Sequence, residues 1–165
     1  MSFCYLHGVI PVSDIQRVQT VRSNGSVVWH AVYETMFTTE SREEIDGSFR
    51  TFSPASDSNF PDNSLLIVHG KFALPFLPAI PQHPRSCFLI ESIHHSSFTM
   101  DTSKEDCDSF LPSDNVPSLS LLGNVVGRIV EMGDGAKGVD VRVGIYIHGK
   151  SVDCLFRFVL CFSFI

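Results

Sequence analysis

The ten residues VDVRVGIYIH at 139–148 constrain this chain more than any other stretch. Val139, Val141, Val143, Ile145 and Ile147 alternate with Asp140, Arg142, Gly144, Tyr146 and His148. A period of two sends the two sets to opposite faces of an extended strand. β-branched side chains suit that pleated surface. The run predicts a strand with one apolar face and one face carrying Arg142, Tyr146 and His148.

Neighbouring segments repeat the pattern. Gly133–Gly138 predicts a turn, so that 119–130 and 139–148 form a hairpin, and Gly149-Lys150-Ser151 predicts a second turn leading into a strand over 152–162. Nearer the N-terminus, Ile15–Arg22 and Val27–Phe37 flank Ser23-Asn24-Gly25-Ser26, and Asn-Gly between two β-rich runs is a strong hairpin signal. Further strands are expected at Gly47–Phe52, Leu65–Leu74 and Cys87–Phe98, with Gly70 marking a bulge or sharp bend. The charged stretch Thr39–Ile45 is the one place for a short helix.

Breaker-rich or polar stretches at 53–64, 75–85 and 99–118 read as mobile loops, because proline removes a backbone donor and aperiodic polar segments bury little. The chain thus reads as a single all-β domain over 1–165 with little helix: a barrel or a β-sandwich of about seven or eight strands. With 44% apolar residues among 165, global disorder is excluded and a real core is expected.

Charge and cysteines narrow the setting. The net charge is −6, with seven Lys/Arg against fourteen Asp/Glu up to Ser118 and five against four beyond it. A polyanion-binding face is therefore sought in the C-terminal part. Five scattered cysteines contain no C-x-x-C pair, which disfavours a zinc ribbon or a thioredoxin-like site. The start, MSFCYLHGVIPVSD, has no charged n-region followed by a long apolar run. Reduced thiols in an intracellular setting, cytoplasm or nucleus, are the expectation. The ending LFRFVLCFSFI is too short for an ordinary membrane-spanning helix, which needs about 20 apolar residues. It reads either as a buried final strand or as a chain altered before its natural terminus.

Catalytic motifs fare poorly. GIYIHGKS at 144–151 fits G-x-x-x-x-G-K-[ST] literally. A phosphate cradle, however, needs a loop whose N–H groups turn inward, and here two isoleucines continue the strand register. Only fourteen residues follow, too few for the helix and the acidic strand that such a site requires. The match is read as coincidence. His94 and His95 are adjacent and point to opposite faces of a strand, so they cannot readily chelate one ion together. No nucleophile elbow is present, and Cys4 and Cys161 read as core or terminal residues. No cofactor and no metal is expected.

The remaining constellation is the polar strand face. Arg142, Tyr146, His148 and Lys150, extended by Arg157, place cations beside an aromatic ring, the combination by which sheet surfaces hold single-stranded nucleic acid. An ordinary solvated sheet face carries the same residue types. Arg128 joins them only if a bulge intervenes in its strand.

The segments LLGNVVGRIVEMGDGAKGVDVRVGIYIHGKSVDCLFRF and PDNSLLIVHGKFALP resemble a group of poorly characterised fungal proteins with an OB-fold-like barrel. The resemblance implies an OB-like, partly open barrel in which Leu65–Leu74 and Leu119–Lys150 supply strands. It also implies a non-enzymatic module binding single-stranded nucleic acid or, as the alternative, a protein partner or structural role.

Overall fold

A computed structural model of the chain describes residues 2–38, 44–53, 60–74, 88–98, 117–132 and 136–160. Every element in these stretches is a strand: β1 (Phe3–Val21), β2 (Val27–Thr38), β3 (Glu44–Phe52), β4 (Ser64–Ala73), β5 (Phe88–Ser97), β6 (Ser118–Leu122), β7 (Asn124–Glu131), β8 (Lys137–Ile147) and β9 (Lys150–Leu160). The expected loop at 75–85 and nearly all of that at 99–118 lie outside the described residues, as do residues 54–59 of the loop at 53–64 and most of the expected helix, whose last two residues already belong to β3. Of the expected turn Gly133–Gly138, residues 133–135 lie outside and Lys137 and Gly138 already belong to β8. Among the described residues no helix is long and apolar enough to cross a membrane.

The nineteen-residue β1 organises the molecule. Its first part pairs antiparallel with β4, from Tyr5 opposite Lys71 to Val12 opposite Ser64. Its last part pairs with β2, from Gln16 opposite Val32 to Val21 opposite Val27. Between them the register shifts between Ser13 and Gln16, where Asp14 takes a φ of 47°. Such a bulge bends and twists the strand, which lets one strand serve two neighbours. The ladder then continues β2–β3–β5–β4 and returns to β1, with β3 and β5 parallel and the other pairs antiparallel. A five-stranded sheet closed in the order 1-2-3-5-4-1 is the OB-type barrel.

The sequence readings of β2, β4, β5, the Asn24-Gly25 turn and the bulge at Gly70 agree with this architecture. Gly25 holds a φ of 78° in a turn closed by Arg22 N donating to Ser26 O at 2.8 Å. The β4–β5 register shifts between His69 and Gly70.

The placement of Leu119–Lys150 in the barrel is corrected. The five strands of the barrel end at Ser97, and residues 119–150 split at Gly123. β6 joins the large sheet as an outer strand on β1, whereas β7, β8 and β9 form a separate three-stranded sheet. The physical reason is that β8 spends its hydrogen bonds on β7 and β9 and meets the barrel with its side chains instead. Val141, Val143, Ile145, Ile147, Cys154 and Phe156 are buried and share one core cluster with Leu6, Ile10, Tyr33, Phe49, Leu66, Val68, Phe72 and Ile90. Phe72 and Phe156 rings lie 6.5 Å apart across the junction. Burying each such side chain stabilises the fold by about 1.5–3 kcal/mol. The one buried tyrosine hydroxyl is satisfied, since Phe60 N donates to Tyr33 Oη at 3.0 Å.

Candidate functional site

Cross-strand register decides which side chains the barrel gathers. Val18 lies opposite His30, Thr20 opposite Val28, His30 opposite Phe52, and Val32 opposite Arg50. Directly paired residues share a sheet face. Thr20, His30, Arg50 and Phe52, from three strands, therefore occupy one side of the β1–β2–β3 sheet. Tyr33, Phe49 and Thr51 take the other side, toward the core.

Arg50 is buried along this face. Its Nη2 donates to Thr20 Oγ1 at 3.0 Å and lies 2.9 Å from His30 Nδ1. Its Nε has no hydrogen-bond partner among the described residues. Burial pulls the Arg50 pKa below its ordinary value, and Glu91 works against that. Glu91 itself forms an ion pair with Lys71 at 3.5 Å. The His30 pKa is lowered by burial first and by Arg50 next. Arg22, in the exposed β1–β2 turn, adds to that lowering. Beside them the Phe52 ring is 61% exposed and meets His30 edge-on at 6.4 Å.

The arrangement offers an exposed arginine, Arg22, at the adjoining turn and the open ring face of Phe52, while Arg50 lies buried beneath them. Guanidinium N–H groups match phosphate oxygens, and an exposed ring can stack a base. The opposite end of the same strands carries Glu34, Asp46 and Glu44 in exposed positions, so among the described residues of these strands Arg22 and Arg50 lie toward the end nearest the β1–β2 turn.

The residues singled out from sequence lie elsewhere. Arg142 and Tyr146 are exposed on one face of β8, as the alternation predicts, with Tyr146 at 64%. His148 is not in line with them. The strand ends at Ile147, and His148 takes a φ of 52° in the turn, with Nε2 3.1 Å from Ile90 O. Lys150 opens β9 opposite Ile147 and is exposed. Arg157 is engaged by Asp140 through two contacts of 2.7 and 2.9 Å, which lowers the Asp140 pKa and raises that of Arg157. A bulge does intervene near Arg128, where the register shifts between Val126 and Val130 and Gly127 holds a φ of 82°.

The P-loop-like string lies across two antiparallel strands and a tight turn, with Ile145 and Ile147 buried. His94 and His95 do part company. His94 pairs with His69 and is exposed, whereas the His95 ring meets Phe49 and Phe60 edge-on. Among the described residues no group of three His, Cys, Asp or Glu side chains is placed to hold a metal ion.

Sequence reasoning reached β3 but not its chemistry. The signal lay in SFRTF, where Phe49 and Thr51 alternate with Ser48, Arg50 and Phe52. What the string could not show is that Thr20 and His30 stand opposite it.

No family model and no curated protein matches the sequence, so the fungal resemblance rests on the quoted segments alone. Among solved structures, the chain is similar to a deletion variant of the single-stranded DNA binding protein from Thermus aquaticus, at 11% identity and a TM-score of 0.45 over 95% of this chain and 74% of that one. The wild-type protein matches at 10% identity and a TM-score of 0.44, over 95% and 72%. The barrel assignment stands on the strand order and pairings themselves.

Proposed function

We propose that the chain is a non-enzymatic binding module that holds single-stranded nucleic acid against the β2–β3 face of its barrel. The observation that supports it is the open ring of Phe52, 61% exposed, on the face where Arg50 is buried and next to the turn that carries exposed Arg22. The β2–β3 face and the loop joining β1 to β2 are where OB-type barrels take oligonucleotides. In the bland account Arg50 is a clamp that ties Thr20 and His30 to β3. That account explains Arg50 and leaves the exposure of Phe52 without a role. Arg142, Tyr146 and Lys150 are proposed as auxiliary contacts, because Lys71 Nζ donates to Tyr146 O at 3.1 Å and so ties that strand to β4.

The test is fluorescence anisotropy with a labelled oligothymidylate at low and physiological salt. Phe52→Ala and Arg22→Ala are surface changes that leave the core intact. Phe52→Ala is expected to weaken binding by about 1–3 kcal/mol, the usual worth of one stacked base. Wild-type affinity in both variants would sink the reading.

A second reading has its own observation. Val125 (68%), Ile129 (63%) and Phe158 (42%) are exposed on the outer strands of the β7–β8–β9 sheet. Apolar side chains grouped this way mark contact surfaces for other proteins. Association through them would tolerate salt and be lost in Ile129→Asp, which sedimentation velocity reads directly.

A further inference from the structure

One cross-strand row carries the outer surface from the Arg50 face round to the other side of the barrel. Arg50 of β3 stands opposite Glu91 of β5, and Glu91 opposite Lys71 of β4. Lys71 stands opposite Tyr5 of β1, and Tyr5 opposite Ser120 of β6. Adjacent strands are about 4.8 Å apart, so three steps place Tyr5 roughly 14 Å from Arg50 along the surface.

At the far end of that row lies a continuous run of rings. Phe3 and Tyr5 stack at 5.1 Å, Tyr5 meets His69 at 5.6 Å, and His69 meets His7 at 6.0 Å. None of the four is buried, and His7 is exposed. Ser118 and Ser120 flank the rings on β6, and exposed His94 flanks them on β5. At the crossing, Lys71 neutralises Glu91. A row of rings edged by hydroxyls, joined to the Arg50 face by an ion-paired carboxylate and lysine, fits stacked bases.

We propose that this ladder is a second stacking track, so that one nucleic-acid strand leaves the β2–β3 face, crosses over Glu91 and Lys71, and continues over Tyr5, His69 and His7. The proposal rests on the binding reading above and extends it to a longer site on the same barrel. OB-type barrels occupy from about 4 to 16 nucleotides. A wrapped path belongs at the long end of that range.

Oligothymidylates of about 8 and about 20 nucleotides separate the two tracks. Phe52→Ala is expected to weaken both. Tyr5→Ala/His69→Ala, shown folded by circular dichroism, is expected to leave the short one within twofold and weaken the long one about tenfold or more. Wild-type binding of the long oligonucleotide by the double variant overturns the second track while leaving the first standing. Loss of all binding by wild-type protein at both lengths overturns the underlying reading instead. Should the double variant not fold, photo-crosslinking of a bromouracil-substituted long oligonucleotide to wild-type protein decides. Adducts on Phe3, Tyr5, His7 or His69 support the track, and adducts confined to β2 and β3 overturn it.

Discussion

Arg50 Nη2 lies 2.9 Å from His30 Nδ1, and this contact fixes the charge state the histidine can hold. A guanidinium only donates, so the facing ring nitrogen must accept and His30 must be neutral. Burial, Arg50 and Arg22 all press its pKa below 6.5, against Glu91. Below pH 6.5 the unfolded chain therefore binds more protons at this site than the folded one. Stability is fully present above the unfolded value and is lost as pH falls toward the folded value. Histidine-resolved NMR titration is expected to place the His30 midpoint below 6.5 in wild type and higher in Arg22→Ala. A midpoint unmoved by removing Arg22 would mean that the turn does not reach the site.

The same arginine has a second signature. Each cation that neutralises a phosphate releases counterions, contributing about 0.7 to the slope of log affinity against log salt for single strands. Arg22→Ala is expected to flatten that slope by roughly this amount. Phe52→Ala is expected to weaken binding while leaving the slope unchanged, since stacking releases no ions. Parallel slopes in wild type and Arg22→Ala would remove Arg22 from the interface.

Gly47 of β3 leaves no room for a side chain. It faces Phe88 across the parallel β3–β5 pair, and a Cβ there would overlap the edge of the Phe88 ring. That ring already stacks on Phe37 at 4.4 Å. Gly47→Ala is thus expected to destabilise the protein by about 1–3 kcal/mol, the usual effect of overpacking. Phe88→Leu in the same chain should recover part of the loss. Urea unfolding of the two single variants and the double variant measures the coupling, and additive effects would contradict the contact.

These residues also show what the sequence could and could not tell. Alternation over 139–147 and the Asn24-Gly25 turn are local signals, and both appear in the structure, with only His148 leaving the expected face for the turn. β1 was legible only in its second part, because Gly8, Pro11 and Asp14 look like breakers. Pro11 nevertheless sits in register opposite Leu65, and Asp14 marks the bulge. The acidic net charge also pointed away from the N-terminal part. Arg22 and Arg50 cluster there all the same, because register brings them together while Glu34 and Asp46 fall at the other end of the strands. Pairing between distant segments sets the site, and pairing is not written in any one segment.

Cys4 of β1 and Cys154 of β9 report whether the β7–β8–β9 sheet stays seated on the barrel. Both are buried and free. Burial pushes the Cys4 thiol up to about 12, with Cys154 adding to the rise, and burial raises Cys154 as well. Thiol reagents attack the thiolate, so neither residue should react in the native protein at mildly alkaline pH. In urea both should react. Differential alkylation followed by mass spectrometry distinguishes them from the other three cysteines. Rapid native labelling of both would mean that the sheet lifts off and exposes the seam. Protection of both, retained with a long oligonucleotide bound, is the outcome expected if the ladder works on the surface of an intact core.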